Sequence, residues 1–300
     1  MKSATVEPET SASESFLSDL TELVKARLSL LVLCTTFVGY LLGLGGAALD
    51  YVTMGATLIG TALCAGGAAA LNQWWERDFD AGMKRTRNRP LPAGRLHPQD
   101  ALMLGLFFSG TGVLCLGLLV NWLTAILAAV TIATYVLVYT PMKRFSALNT
   151  LVGAVPGALP PLLGWTAATG QVGLGGWVLF GILWFWQMPH FLAIAWMYKD
   201  EYAEAGFVML TGRDADGFAT GRQSVLYAMC LLLVSLVPGV IGLNTSVYFY
   251  GALILGLAFL ALGVNFLRWR TRAAARLLFF GSIIYLPLLL GLLVGTRSVN

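Results

Sequence analysis

Asn72, Glu76 and Asp80 are spaced four residues apart within "LNQWWERDFDAGMKRTRNRPLPAGR", residues 71–95. On a helix that spacing puts a carboxamide and two carboxylates on one stripe. Such hard oxygen donors suit Mg²⁺, which is usually held by one or two carboxylates together with substrate phosphates. Lys84, Arg85, Arg87 and Arg89 follow at once, and guanidinium forks pair bidentately with phosphate oxygens. Acid for a metal beside base for a phosphate describes a diphosphate site. Asp78 falls off the stripe and is free to pair with Arg77 or a neighbouring basic residue. A solvated cytoplasmic loop would also account for the basic residues, but not for an acidic stripe that begins where an apolar run ends.

A second group lies in "WFWQMPHFLAIAWMYKDEYAEAG". Asp200 and Glu204 are again four apart, with Lys199 and Glu201 beside them, and they are expected to face the first stripe across the diphosphate. His190 precedes Lys199 by nine residues, about 13 Å along a helix. An ionisable group at that depth in an apolar segment is a functional candidate; the alternative is a neutral imidazole bonded to a carbonyl of a neighbouring helix. Pro189 is expected to kink this segment and free backbone groups to line a cavity. Pro156, Pro160 and Pro161 in "GAVPGALPPLLGW" imply another segment that is no plain lipid-facing rod. Trp184, Phe185, Trp186 and Trp196 are read mainly as packing or interfacial residues. His97 is read as solvated.

The elements that must position these groups follow from composition. Of 300 residues, 57% are hydrophobic and 11% charged, with mean hydropathy +0.75, against roughly 25% charged in soluble domains. A bilayer span takes about 20 apolar residues. Nine such windows are expected, at 28–48, 53–72, 101–120, 122–140, 149–168, 176–197, 223–243, 248–267 and 277–296. The fold class is therefore all-α and polytopic. Residues 1–24 are polar and lack a cleavable apolar segment, so they read as a disordered cytosolic tail; residues 25–300 read as a single transmembrane domain. Gly66, Gly67 and Ala68 to Ala70 allow close approach of a neighbouring helix. The four cysteines lie in spans and imply no disulfide framework.

With the N-terminus inside, segments 1–27, 73–100, 141–148, 198–222 and 268–276 hold 18 of the 19 Lys and Arg residues, leaving Arg297 outside. Positive charge favours the cytoplasmic side. The expectation is a multi-pass protein of the cell membrane with its C-terminus outside and its chemistry facing the cytosol. Nothing in the pattern calls for nucleic acid.

The motif N-x₃-[DE]-x₃-D followed by "RTRNRPL" resembles the UbiA superfamily of intramembrane prenyltransferases. "ERDFDAGMKRTRNRPLPAGR", "YVLVYTPMKRFSALNTLVGAVPGALPPLLGW", "WQMPHFLAIAWMYKDEYAEAGFVML" and "TGRQ" at 220–223 resemble its haem-farnesylating branch, the protohaem IX farnesyltransferases or haem O synthases. The resemblance covers most of residues 70–225. It implies a bundle of nine helices around a central cavity open to the cytosol, and Mg²⁺-dependent farnesyl transfer from farnesyl diphosphate to a vinyl group of haem B. Carried over, Asn72, Glu76 and Asp80 hold the metal and diphosphate. Lys84, Arg85, Arg89, Lys143, Arg144 and Lys199 surround the diphosphate, with Tyr139 lining the cavity; Asp200 joins the catalytic set.

Two departures stand out. Glu76 occupies a position where the superfamily usually has Asp. An Asp-rich second motif is replaced by Pro189-His190-Phe191 ahead of Lys199 and Asp200, which points to a haem acceptor with His190 ligating or orienting it. The product would serve terminal oxidase biogenesis, so haem A synthase or oxidase assembly factors are the implied protein partners. The rival readings are transfer to a quinone precursor or chlorophyllide, and a secondary transporter with an acidic ion site.

Overall fold

The structure is a computed structural model and describes residues 12–204 and 206–298. Among the described residues, nine helices are long and apolar enough to cross a membrane: Ala26–Gly43, Tyr51–Asp80, Pro98–Leu119, Trp122–Met142, Asn149–Thr169, Leu174–Met197, Phe218–Val240, Ser246–Trp269 and Arg272–Gly295. We number the helices in chain order: α1 (Ala12–Leu23), α2 (Ala26–Gly43), α3 (Tyr51–Asp80), α4 (Pro98–Leu119), α5 (Trp122–Ala133), α6 (Thr140–Met142), α7 (Asn149–Thr169), α8 (Leu174–Met197), α9 (Lys199–Glu204), α10 (Leu210–Arg213), α11 (Phe218–Val240), α12 (Ser246–Trp269) and α13 (Arg272–Gly295). Among the described residues there is no β-strand, only an isolated bridge between Asn244 and Arg297.

The first span ends five residues sooner than expected, and the second runs on to Asp80, so the acidic stripe is the last two turns of α3. The tail reading needs correcting. Residues 1–11 lie outside the described residues, but 12–23 form α1. Leu20 and Leu23 pack against Ala70, Leu91, Ala101 and Trp74, and Arg95 Nε donates to Asp19 Oδ1 at 2.8 Å. Apolar residues spaced three apart give α1 one face to bury, which composition alone obscures.

α7 is the most enclosed span and packs between α2, α5 and α8. All three prolines remain within it, and α8 likewise runs through Pro189. The α2–α7 crossing is a backbone contact. A Cβ on Gly164 would lie 1.8 Å from the Thr36 carbonyl oxygen, and one on Gly39 1.9 Å from that of Pro161. Gly164→Ala should therefore destabilise the bundle. The intrinsic helix gain from alanine, about 1 kcal/mol, is outweighed because rigid backbone must move, and overpacking typically costs about 1–3 kcal/mol. Thermal unfolding in detergent reads this; an unchanged midpoint would mean the helices do not meet there. Gly67 serves α3 in the same way, against Ser109 and the Gly105 carbonyl of α4.

Five charged segments are joined at one end of the bundle. Lys25 reaches Asn72, Arg95 reaches Asp19, and Lys143 reaches Glu76. Val208 N donates to the Lys143 carbonyl at 2.9 Å, and Arg272 reaches Asp200. This grouping is the one that the parity of nine spans requires. The protein is a multi-pass membrane protein.

Candidate functional site

The stripe is buried. Asn72, Glu76 and Asp80 are 1%, 7% and 3% exposed, an expensive placement for two carboxylates unless partners compensate. Partners are present. Asn72 Nδ2 donates to Glu76 Oε2 at 3.0 Å and to Thr140 Oγ1 at 3.1 Å, which turns its carbonyl oxygen outward to accept from Lys25 Nζ at 2.7 Å. Lys143 Nζ donates to Glu76 Oε1 at 2.7 Å, and Arg89 Nη1 to Asp80 Oδ2 at 2.6 Å. Each member of the stripe thus carries one basic side chain, drawn from three separate segments.

Electrostatics within the cluster are dense. Burial, with the like charges of Arg89 and Lys143, pulls Lys25 down to about 7, against the opposing pull of Glu76 and Asp80. Burial also works against the charge on Lys143, but Tyr139 and Glu76 outweigh it and hold that group above its ordinary value. Lys25 is placed by an unusual backbone: its φ of 48° and ψ of 53° lie in the left-handed region, rare for a side-chain-bearing residue. The turn between α1 and α2 needs that conformation, and it aims the ammonium at α3.

A π-helical turn, Thr134–Tyr139, interrupts the fourth span. Pro141 cannot donate to the carbonyl four residues back, so the ordinary ladder is broken there. Thr140 Oγ1 donates instead to the Tyr135 carbonyl at 2.8 Å. Turns of this kind are frequent at functional sites. Here it brings the Tyr135 and Tyr139 rings to 5.6 Å and aims the Tyr135 hydroxyl at Asn72 Oδ1, 3.4 Å away. Lys143 Nζ sits 4.7 Å from the Tyr139 ring centroid.

The remaining expected residues divide. Arg144 lies over the Phe79 ring, 3.0 Å from its centroid, with its Nη2 buried and, among the described residues, without a hydrogen-bond partner. Arg85 is exposed and faces Tyr202, whose hydroxyl is raised by burial and partly lowered again by that guanidinium. Lys84 is exposed. Asp78 takes Arg77 at 3.7 Å, the surface pairing expected of a residue off the stripe.

Among the described residues, no side chain of the second acidic group bonds a member of the first stripe. Asp200, with its side chain 63% exposed, is bonded by Arg272 of α13 at 2.5 Å, and Lys199 lies over Trp196, 4.6 Å from its ring. α8 ends at Met197, and of the short α9 that follows it is Tyr202 that lies beside the first cluster, near Arg85, Tyr139 and Lys143. Lys25, Tyr135, Thr140 and Tyr202 were missed by sequence reasoning. Tyr135, Thr140 and Tyr202 lie within the stretches that carry the family resemblance, and Lys25 is a basic residue just ahead of the first span.

His190 is set against α13. Its Nδ1 is 2.7 Å from Ser282 Oγ. The ring stacks on Trp186 at 5.1 Å and lies 4.9 Å from Phe279. Trp186 Nε1 donates to the Ser282 carbonyl at 2.9 Å, tying the same two helices.

The donor set is of the hard-oxygen kind that suits a divalent cation. Among the described residues no group of three or more His, Cys, Asp or Glu side chains is arranged to hold a metal. The stripe instead offers two carboxylates and a carboxamide, the hard-oxygen set that Mg²⁺ completes with phosphate and water.

The sequence profile of the UbiA prenyltransferase family matches residues 32–284 of this chain. The chain belongs to that family. It is 46% identical to protoheme IX farnesyltransferases from Solibacter usitatus, Opitutus terrae and Salinibacter ruber, over 94%, 96% and 93% of its own length and 99%, 97% and 98% of theirs. Among solved structures, a digeranylgeranylglyceryl phosphate synthase aligns with a TM-score of 0.81 at 14% identity, covering 95% of this chain and 99% of that one. A UbiA homologue from Archaeoglobus fulgidus bound to GPP and Mg²⁺ aligns at 0.68 with 13% identity, covering 93% and 100%. At those identities the likeness is one of fold. The protein is a prenyltransferase of the membrane, and the transporter reading falls away: the carboxylates lie at a helix end rather than midway along a broken span.

Proposed function

We propose that this prenyltransferase moves the farnesyl group of farnesyl diphosphate onto a vinyl group of haem B, with water completing the addition to give haem O. The observation that carries the reading is the buried Asn72–Glu76–Asp80 stripe with one basic side chain on each member. The acceptor is supported by near-full-length relatives that bear the name protoheme IX farnesyltransferase, and by a histidine in place of a second acidic motif. The membrane is the cytoplasmic one, with the N-terminus and the diphosphate site on the cytosolic side and the C-terminus outside. The positive-inside distribution supports that orientation.

Asn72, Glu76 and Asp80 would hold Mg²⁺, which when bound neutralises charge on the departing diphosphate. Lys25, Lys143 and Arg89 already stand within hydrogen-bonding reach of the three ligand side chains, so their charge lies where the diphosphate must sit. Arg144, with a buried nitrogen to spare, and Arg85 beside Tyr202 extend the same field. As the bond between C1 and the bridging oxygen breaks, its electron pair leaves on the diphosphate, and these preorganised cations stabilise it there. The faces of Tyr135 and Tyr139 suit the allylic cation left behind. The vinyl π pair then forms the new bond to C1. Water captures the resulting haem-side cation and releases a proton.

His190 would take the haem iron. Incubation with labelled farnesyl diphosphate and haem B, against 4-hydroxybenzoate, tests the acceptor. Label should enter haem only, and chelation of divalent metal should stop it. Label passing to the phenol instead would move the protein to the quinone branch.

A further inference from the structure

The Ser282 hydroxyl has two neighbours and one proton. Its Oγ lies 2.5 Å from the Phe279 carbonyl oxygen and 2.7 Å from His190 Nδ1. A carbonyl can only accept, and two oxygens at that distance repel unless a proton lies between them, so the serine proton is directed to Phe279. Ser282 can then meet His190 only as an acceptor, and the imidazole proton must reside on Nδ1. Ser282 is fully buried, so no bulk water competes for either bond. The imidazole is held on the other sides too, by Trp186 and Phe279 against its ring. Among the described residues the only hydrogen bond to the ring is the one at Nδ1, and in this tautomer Nε2 carries the ring's lone pair.

We infer that Ser282 is a positioning residue: by accepting from Nδ1 it fixes His190 in the tautomer whose Nε2 lone pair is free for the haem iron. The inference rests on the proposal that His190 takes haem, and it deepens that site. Metal-ligating histidines commonly have the second nitrogen held by such a partner, which fixes the tautomer and ring orientation, and loss of the partner typically weakens metal binding about 10–100-fold.

Two measurements separate the inference from the reading beneath it. The first is ¹⁵N NMR of the haem-free, histidine-labelled full chain, with His97→Gln used to assign the only other histidine. His190 should carry its proton on Nδ1 in the parent protein and lose that preference in Ser282→Ala. A proton on Nε2 in the parent would overturn the inference whatever haem does. The second is haem titration with resonance Raman of the ferrous complex. His190→Ala should abolish the imidazole-ligated spectrum; if it does not, the haem-ligand reading fails and the inference with it. Ser282→Ala should keep a ligated histidine but bind haem about 10–100-fold more weakly, with a shifted iron–histidine stretch. Serine to alanine removes one oxygen and leaves the helical partner of Phe279 in place, so the variant is expected to fold. If His190→Ala loses ligation while Ser282→Ala leaves both affinity and stretch unchanged, Ser282 has no positioning role.

Discussion

Asp80→Ala should reduce haem O formation by about three orders of magnitude or more while the bundle stays folded. Loss of one preorganised electrostatic group at a reacting centre costs about 10²–10³ in kcat, and Asp80 is asked to do two things. Its carboxylate is one of three proposed metal ligands, and it fixes Arg89 at 2.6 Å in a buried setting. Removing it takes an oxygen from the metal and releases the guanidinium from its place. The fold has other supports at that point: Thr86 Oγ1 donates to the Asp80 backbone carbonyl at 2.9 Å, a bond alanine keeps. Mn²⁺ titration should show weaker metal binding, and Asp80→Asn should keep an acceptor for Arg89 while still losing the anionic ligand. Near wild-type output from Asp80→Ala would end the metal assignment.

Lys143→Met is expected to strike donor binding and stability together. The Lys143 and Glu76 side chains are 15% and 9% exposed, and breaking a buried pair by removing one partner costs about 3–5 kcal/mol because the remaining charge is stranded. A charge-assisted hydrogen bond is worth about 1.5–3 kcal/mol, so farnesyl diphosphate should bind about 10–100-fold more weakly at about 1.4 kcal/mol per decade. A double variant separates the two effects. Lys143→Met with Glu76→Gln should recover much of the thermal midpoint, since no charge is stranded, without recovering donor affinity. Calorimetric binding of farnesyl diphosphate by Lys143→Met at wild-type strength would remove the residue from the diphosphate site.

Much of the fold was legible because membrane helices answer to local rules. A span must satisfy its backbone internally and present about 20 apolar residues to lipid, so the nine windows and the 18-to-1 division of basic charge set span number and the shared end of the charged loops. The stripe was legible for a similar reason: Asn72, Glu76 and Asp80 belong to one helix, whose periodicity is fixed by its own hydrogen bonds. α1 was hidden because its composition is polar and its apolar face is only two residues wide at Leu20 and Leu23.

The sequence by itself determined the span count, the stripe and the family motifs, all set by contiguous residues and helical geometry. The tertiary structure alone decided which charges meet. Lys25 reaches Asn72 across 47 positions, Lys143 reaches Glu76 across 67, and Ser282 reaches His190 across 92. Asp200, by contrast, pairs with Arg272 across 72 positions. No periodicity encodes such meetings, since they depend on how whole helices pack. Here that packing is set by close glycine crossings and by one π-helical turn that swings Tyr135 and Tyr139 into place.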